Sequence, residues 1–253
     1  MSAPELSRPV RGKGRHYEYP PTGDLLISVT NVQSALSKPA LPRWAAIEVA
    51  KVAYKMRHAL PEMEEDEAVD ILKGSPWSKT TRAADRGTSI HEALEKAAHG
   101  ITVPLSGEAA QYAPGIAMFL AEHELDVWHT EVTVFHRDAG YAGTADAIGL
   151  LDGVPVVLDY KTGRKKLYDD VALQLAALRY ATEMWVDGEV RPMVEVDECV
   201  GVYIRPDGYQ IAKVHNPALA YDTFYSLLQV RKWQVIDEPV LTDWEPQAMD
   251  TEA

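Results

Sequence analysis

The chain has 253 residues, 46% hydrophobic and 25% charged, with a formal net charge of −13. That is the composition of an ordinary soluble globular protein, long enough to bury a real core in one large domain or two small ones. Cys199 is the sole cysteine, which excludes an internal disulfide, a zinc site built on several thiolates and a four-cysteine iron–sulfur cluster, and fits a reducing, cytoplasmic location.

No apolar run approaches the ~20 residues that span a bilayer, and no signal-peptide core opens the chain, so no membrane association is expected. The negative charge is uneven. Six acids lie in 62–70 and six more in 237–253, and without those twelve the rest carries about −1. The segment before Leu60 is basic. An acidic total is therefore compatible with a local cationic surface for nucleic acid.

Residues 1–24 hold four cations, several prolines and glycines and little periodicity; they read as a mobile basic arm, either a solvated tail or a strap across a phosphate backbone. Ser28 or Thr30 can cap a short helix ending at Lys38-Pro39, and Pro42 opens a longer one through Arg57. The acidic run starts a further helix ending near Gly74. Another covers 78–99, with a break at Gly87 and an apolar stripe of Ile90, Leu94 and Ala97, and a third runs from about Glu108 to Leu125. The period then changes to a strand over 127–136, followed by two hairpin strands. A helix is expected over Tyr168 to Val186, ended by Asp187-Gly188, then strands at 199–204 and 209–214 and a last helix from Pro217 to about Val235. The acidic 237–253 reads as a loosely held tail. With no repeat and no linker, residues 25–236 are expected to form a single α/β domain with a helical N-terminal elaboration.

The chemistry concentrates in Gly140 to Gly163, GYAGTADAIGLLDGVPVVLDYKTG. Asp152-Gly153 favours a two-residue type I′ turn, with Leu151 facing Val154. Counting outward sets Asp146 opposite Asp159, close enough for two carboxylates to share a cation, and Lys161 on the same face as Asp159. Asp is depleted in strands, and an unpaired carboxylate in so apolar a segment is costly. A structural pair with Lys161 would account for Asp159 but not for Asp146, whereas a divalent cation accounts for both. Oxygen ligands favour Mg²⁺ or Mn²⁺. Such an ion, with a lysine beside it, suits phosphodiester hydrolysis.

Gly143-x-x-Asp146 followed by Asp159-Tyr160-Lys161-Thr162-Gly163 resembles the RecB-type branch of the PD-(D/E)XK nuclease superfamily. The resemblance implies an αβββαβ core with Asp146, Asp159 and Lys161 as catalytic residues. It also implies a metal contact from the main-chain carbonyl of Tyr160. Arg86-Gly87-Thr88-Ser89-Ile90-His91 is similar to the family's histidine motif, which makes His91 a further metal ligand. The family's Gln-x-x-x-Tyr helix is matched at Gln174, but its tyrosine position is Leu178, and the nearest tyrosine is Tyr180. Glu131 stands on the preceding strand, where relatives often carry an acid. Arg164, Lys165 and Lys166 follow the lysine strand and are expected on the DNA backbone. Trp77, Tyr141 and Tyr168 are candidates for base stacking or for core packing.

The resulting expectation is a Mg²⁺- or Mn²⁺-dependent deoxyribonuclease, an exonuclease of recombination, repair or replication of the kind found in phages and bacteria. Its partners would be linear DNA and a single-strand annealing protein. The alternatives are a structure-selective endonuclease on the same site, a catalytically silent DNA- or protein-binding module, and a metal-stabilised interaction protein.

Overall fold

A computed structural model describes residues 5–98, 100–101, 103–162 and 169–237. The N-terminal segment expected to be a mobile arm is instead a three-stranded meander of β1 (Ser7–Val10), β2 (Gly14–Tyr19) and β3 (Asp24–Ser28). Remote contacts order it. Tyr17 and Tyr19 are buried, the Tyr19 ring meets Phe135 edge-on, and Asn31 donates from Nδ2 to the carbonyls of Lys13 and Arg15.

Two helices follow, α1 (Val29–Gln33), capped by Ser28 Oγ on the Asn31 N–H, and α2 (Ala40–Lys55). After a 3-10 turn comes α3 (Glu65–Ala98), a single 34-residue helix where the sequence suggested two. Pro76 cannot donate to the carbonyl of Leu72, but the Ser75 hydroxyl does so at 2.8 Å, so that acceptor is not left without a partner as the helix continues. A second 3-10 turn leads into α4 (Ala113–Glu122), with Pro114 in its first turn, where its missing N–H costs nothing.

The long strands come next: β4 (Leu125–His136), β5 (Tyr141–Leu151) and β6 (Val154–Thr162). Asp152 and Gly153 both have left-handed backbones, φ 51° and 78°, as a type I′ turn requires. Pairing runs as counted from Leu151↔Val154 to Ala147↔Leu158. Beyond it lie α5 (Asp170–Arg179), β7 (Glu183–Val186), β8 (Glu189–Pro192), β9 (Glu198–Arg205), β10 (Gly208–Lys213) and α6 (Pro217–Gln234). The helix expected over 168–186 thus ends at Arg179. Asp187-Gly188 is the turn of a second hairpin rather than a helix stop, with φ 53° and 80°. Trp185 and Val186 prefer the pleated surface, and β7 adds to the free edge of β4.

All ten strands form one mixed sheet. One face packs under α3 and α4, around Ile90, Leu94, Phe119, Leu158 and Val202. The other packs under α5, around Val134, Ile148, Val157, Leu175 and Leu178, with α1 and α6 beyond it. Helices on both faces make this a mixed α/β fold. Among the described residues no helix is long and apolar enough to cross a membrane.

The sheet forks at β5. One edge of β5 pairs along its length with β4. The other edge pairs with β3 only at Tyr141 and Ala142 and with β6 only from Ala147 onward. Residues 143–146 lie between the two, and β6 turns away to run parallel with β9 through Thr162.

Candidate metal centre

Asp146 stands at the fork. Its Oδ2 accepts a 2.6 Å hydrogen bond from the Tyr160 N–H, so a side chain takes over from the backbone ladder where the two strands separate. Gly143 makes the fork possible: a Cβ there would come within 2.8 Å of Leu178 Cδ2 and 2.9 Å of Val29 Cγ2. This gives the Gly-x-x-Asp spacing a physical meaning, because α1 and α5 can close on the sheet only over a bare backbone.

His91 reaches the fork from α3. Ile90 and Leu94 are fully buried on either side of it and anchor the helix. The imidazole meets the Tyr160 ring edge-on at 6.0 Å, and its Nδ1 lies 3.5 Å from Asp146 Oδ2. Glu131 comes from β4, where pairing passes from Thr130↔Ala147 to Val132↔Ala145 and leaves Glu131 across from Asp146. Its backbone is left-handed, φ 48°, a conformation that costs a residue with a Cβ and recurs at functional sites.

Ligand atoms of His91, Glu131 and Asp146 all lie within 4.8 Å of one another, an arrangement that could hold a metal ion. The donors suit a hard divalent cation with an imidazole added. Burial, then the charges of Asp146 and Glu95, push the Glu131 carboxyl up to about 7.

Asp159 was expected to share the cation with Asp146, and here the structure differs: the three-residue cluster does not include it. Asp159 is completely buried on the α5 side of β6. Lys161 Nζ donates to its Oδ1 at 2.7 Å and lies 2.5 Å from Oδ2, and Gln174 Nε2 donates to Oδ1 at 2.7 Å. Burial raises its carboxyl to about 6, opposed by Lys161 and reinforced by Asp146. For Lys161, burial favours the neutral amine, but Asp159 and Asp146 outweigh it and hold the group charged, its pKa above the ordinary lysine value. Asp159 and Lys161 therefore form a tight ion pair beside the cluster, one strand away. The separation follows from β6 leaving β5 at Ala147↔Leu158, one residue before the counted pairing would reach Asp146.

Of the remaining candidates, Gln174 faces Lys161 as well, 3.4 Å from Oε1. Tyr180 does not reach the site. It caps the end of α5 and packs on Tyr221, ring centroids 4.7 Å apart, while Leu178 occupies the cavity wall. Tyr160 buries its ring in the core. Tyr141 is a core residue, its hydroxyl donating to the Ala177 carbonyl, and Trp77 is 70% exposed. Arg164, Lys165, Lys166 and Tyr168 lie outside the described residues.

The cluster opens on a cavity of about 330 Å³ that Arg15, Tyr17, Ser28, Thr30, Thr88 and Thr144 also line. Arg15 donates to Thr30 Oγ1 at 2.8 Å, and the Tyr17 and Thr144 hydroxyls are 2.8 Å apart. Arg15 is the functional candidate that sequence reasoning missed. The alternation Arg15-His-Tyr17-Glu-Tyr19 before the turn residues Pro20 to Gly23 was the available signal for a strand.

No family model matches the chain, and no curated protein matches it. A solved structure titled "Crystal structure of SSO0001" is similar at 17% identity over 83% of this chain and 77% of that one, with a TM-score of 0.39. A likeness of that size carries no assignment of function.

Proposed function

We propose that the chain is a Mg²⁺- or Mn²⁺-dependent deoxyribonuclease of the RecB-type PD-(D/E)XK kind, acting as an exonuclease. One observation carries the reading: the His91–Glu131–Asp146 cluster and the buried Asp159–Lys161 pair converge on a single fork in the sheet. A purely structural arrangement has no use for two acids and an imidazole around a cavity whose like charges oppose each other. The order helix, three strands, helix, strand, read from α3 with α4 and the β7–β8 hairpin set aside, is the order expected of such enzymes and supports the reading.

Asp146, Glu131 and His91 would hold the ion, with the Tyr160 carbonyl as a further donor, while Asp159 would position Lys161 beside them. When bound it would supply an acidified water and a polarised phosphate oxygen. In hydrolysis the water oxygen bonds to phosphorus, the bond to one sugar oxygen breaks, and that oxygen takes a proton. Lys161, held charged by its two acidic neighbours, stabilises the negative charge building on the other phosphate oxygens. Gln174 fixes Asp159 from α5. Arg15 adds a cation on the cavity wall, suited to a substrate phosphate.

The test is digestion of end-labelled linear and circular single-stranded DNA with Mn²⁺. Linear substrate should be degraded from its ends while the circle stays intact, and Asp159→Ala and Lys161→Ala should each lower the rate by roughly 100-fold or more. Cleaved circles would turn the reading to an endonuclease on the same residues. Undegraded linear DNA, or variants as active as the parent, would end it.

A further inference from the structure

The α2 helix shows an outward face of a composition found nowhere in the hydrophobic patterning of a core helix. Arg43, Trp44, Ile47, Lys51, Tyr54 and Lys55 fall within a third of the helix circumference at 100° per residue, and all six are exposed. Trp44 is 36% and Tyr54 70% exposed. The opposite face, with Val49, Val52 and Met56 partly buried, is turned toward α3. The helix's one acid, Glu48, is buried off the outward face and binds Lys51 at 2.9 Å. Arg43 and Lys55 are in no ion pair among the described residues. The Arg57 guanidinium lies over the Tyr54 ring at 4.7 Å. In a chain of net charge −13, an acid-free stripe of three cations with two aromatics between them is a departure that calls for an anionic, stacking ligand.

The first turn of α2 lies on a cavity that shares a wall residue with the candidate metal centre. Thr30 lines the cavity at the cluster and, on its other side, a cavity walled by Gln33, Lys38, Leu41 and Pro42, where α2 begins. From there the helix extends about 24 Å at 1.5 Å per residue.

We propose that the outward face of α2 is a platform for single-stranded DNA, taking bases on Trp44 and Tyr54 and phosphates on Arg43, Lys51 and Lys55, and leading the strand past Thr30 to the cluster. The proposal rests on the nuclease reading for its direction but not for its test. Charge complementarity selects the occupant: a second copy of this face would set cations against cations, whereas a single strand offers both phosphates and π-faces.

Binding of a labelled oligothymidylate is measured on the full chain in EDTA by fluorescence anisotropy, so that no cleavage is needed. Trp44→Ala and Tyr54→Ala should each weaken binding roughly 5- to 100-fold. Arg43→Ala with Lys55→Ala should lower the slope of log affinity against log salt by about 1.4, at 0.7 per phosphate released. Lys51 is left intact, because it pairs with buried Glu48. Unaltered far-ultraviolet circular dichroism and melting temperature establish that the variants fold. The proposal is overturned if the parent binds no oligothymidylate, if the variants bind within twofold of it, or if sedimentation shows Trp44→Ala turning a dimer into a monomer. In the last case the face joins two copies of the chain. Loss of binding in the variants with no cleavage under Mn²⁺ would keep the platform and remove the nuclease.

Discussion

Glu131 shows how much a single residue can carry that sequence pattern conceals. On a strand it reads as a solvent-facing acid, yet it has a left-handed backbone, sits across from Asp146 and holds its proton up to about pH 7. The sign of the consequence is determined. Its folded pKa lies above the ordinary glutamate value of 4.5, so its contribution to stability is complete below about 4.5 and is lost as pH rises through about 7. In EDTA, the melting temperature of the parent should fall between pH 5 and pH 8 by more than that of Glu131→Gln. Asp159 adds a fall of the same sign near pH 6 in both proteins, so the difference between them isolates Glu131. Equal pH dependence would mean that Glu131 is not desolvated as described. Asp159 and Lys161, by contrast, were legible as neighbours on one face from their spacing alone, because residues two apart on a strand share a face whatever surrounds them; that they pair with each other instead of Asp159 sharing a cation with Asp146 is what the structure adds.

At the scale of elements, local chemistry and remote contact divide the outcome. The β5–β6 hairpin was readable because Asp152-Gly153 determines its own turn. The structure adds a brace, with Asp152 accepting from the Glu124 N–H at 2.9 Å and pairing with His123 Nδ1 at 2.7 Å. The β1–β2 hairpin carried only the short alternation of Arg15 to Tyr19 as a local signal, since its order comes from Asn31, Phe135 and, through Arg231 donating to the Lys13 carbonyl at 3.0 Å, from α6. The β7–β8 hairpin was hidden behind an apparently helical run because β7 needs the edge of β4 to pair with. Gly149 illustrates the close fits that result. A Cβ there would overlap the Asp126 carbonyl oxygen and come within 2.8 Å of Val127 Cα, beside the irregularity between Val127 and His129. Gly149→Ala should therefore destabilise the fold by about 1–3 kcal/mol, seen as a lower urea midpoint with an unchanged slope. A midpoint equal to the parent's would show that β4 can shift away at no cost.

For the whole molecule, the fork in the sheet joins residues that are 55 and 68 positions apart in the chain, from His91 to Asp146 and Asp159. A ligand that bridges α3, β4 and β5 should therefore stabilise the fold as a unit. Mn²⁺ at about 100 times its dissociation constant is expected to add about 2.7 kcal/mol, read as a raised melting temperature that EDTA reverses and that Asp146→Ala abolishes. A melting temperature indifferent to Mn²⁺ would leave the cluster without an ion to hold. The charge distribution belongs to this scale too. The net −13 does not describe the surface near the site, where Arg15 lines the cavity and the acid-free face of α2 begins.

The sequence by itself determined the α/β class, the type I′ hairpin with its register as far as Ala147 and Leu158, and the placing of Asp159 and Lys161 on one face. Each depends on residues a few positions apart, whose relations are set by strand and turn geometry. Only the tertiary structure decided which carboxylate joins His91 and Asp146. β6 leaves β5 at Leu158 to pair with β9, carrying Asp159 toward Lys161 and Gln174, while the left-handed turn of the backbone at Glu131 brings a different acid to the fork. A choice between two strands competing for β6 depends on packing across the whole sheet, and no local pattern encodes it.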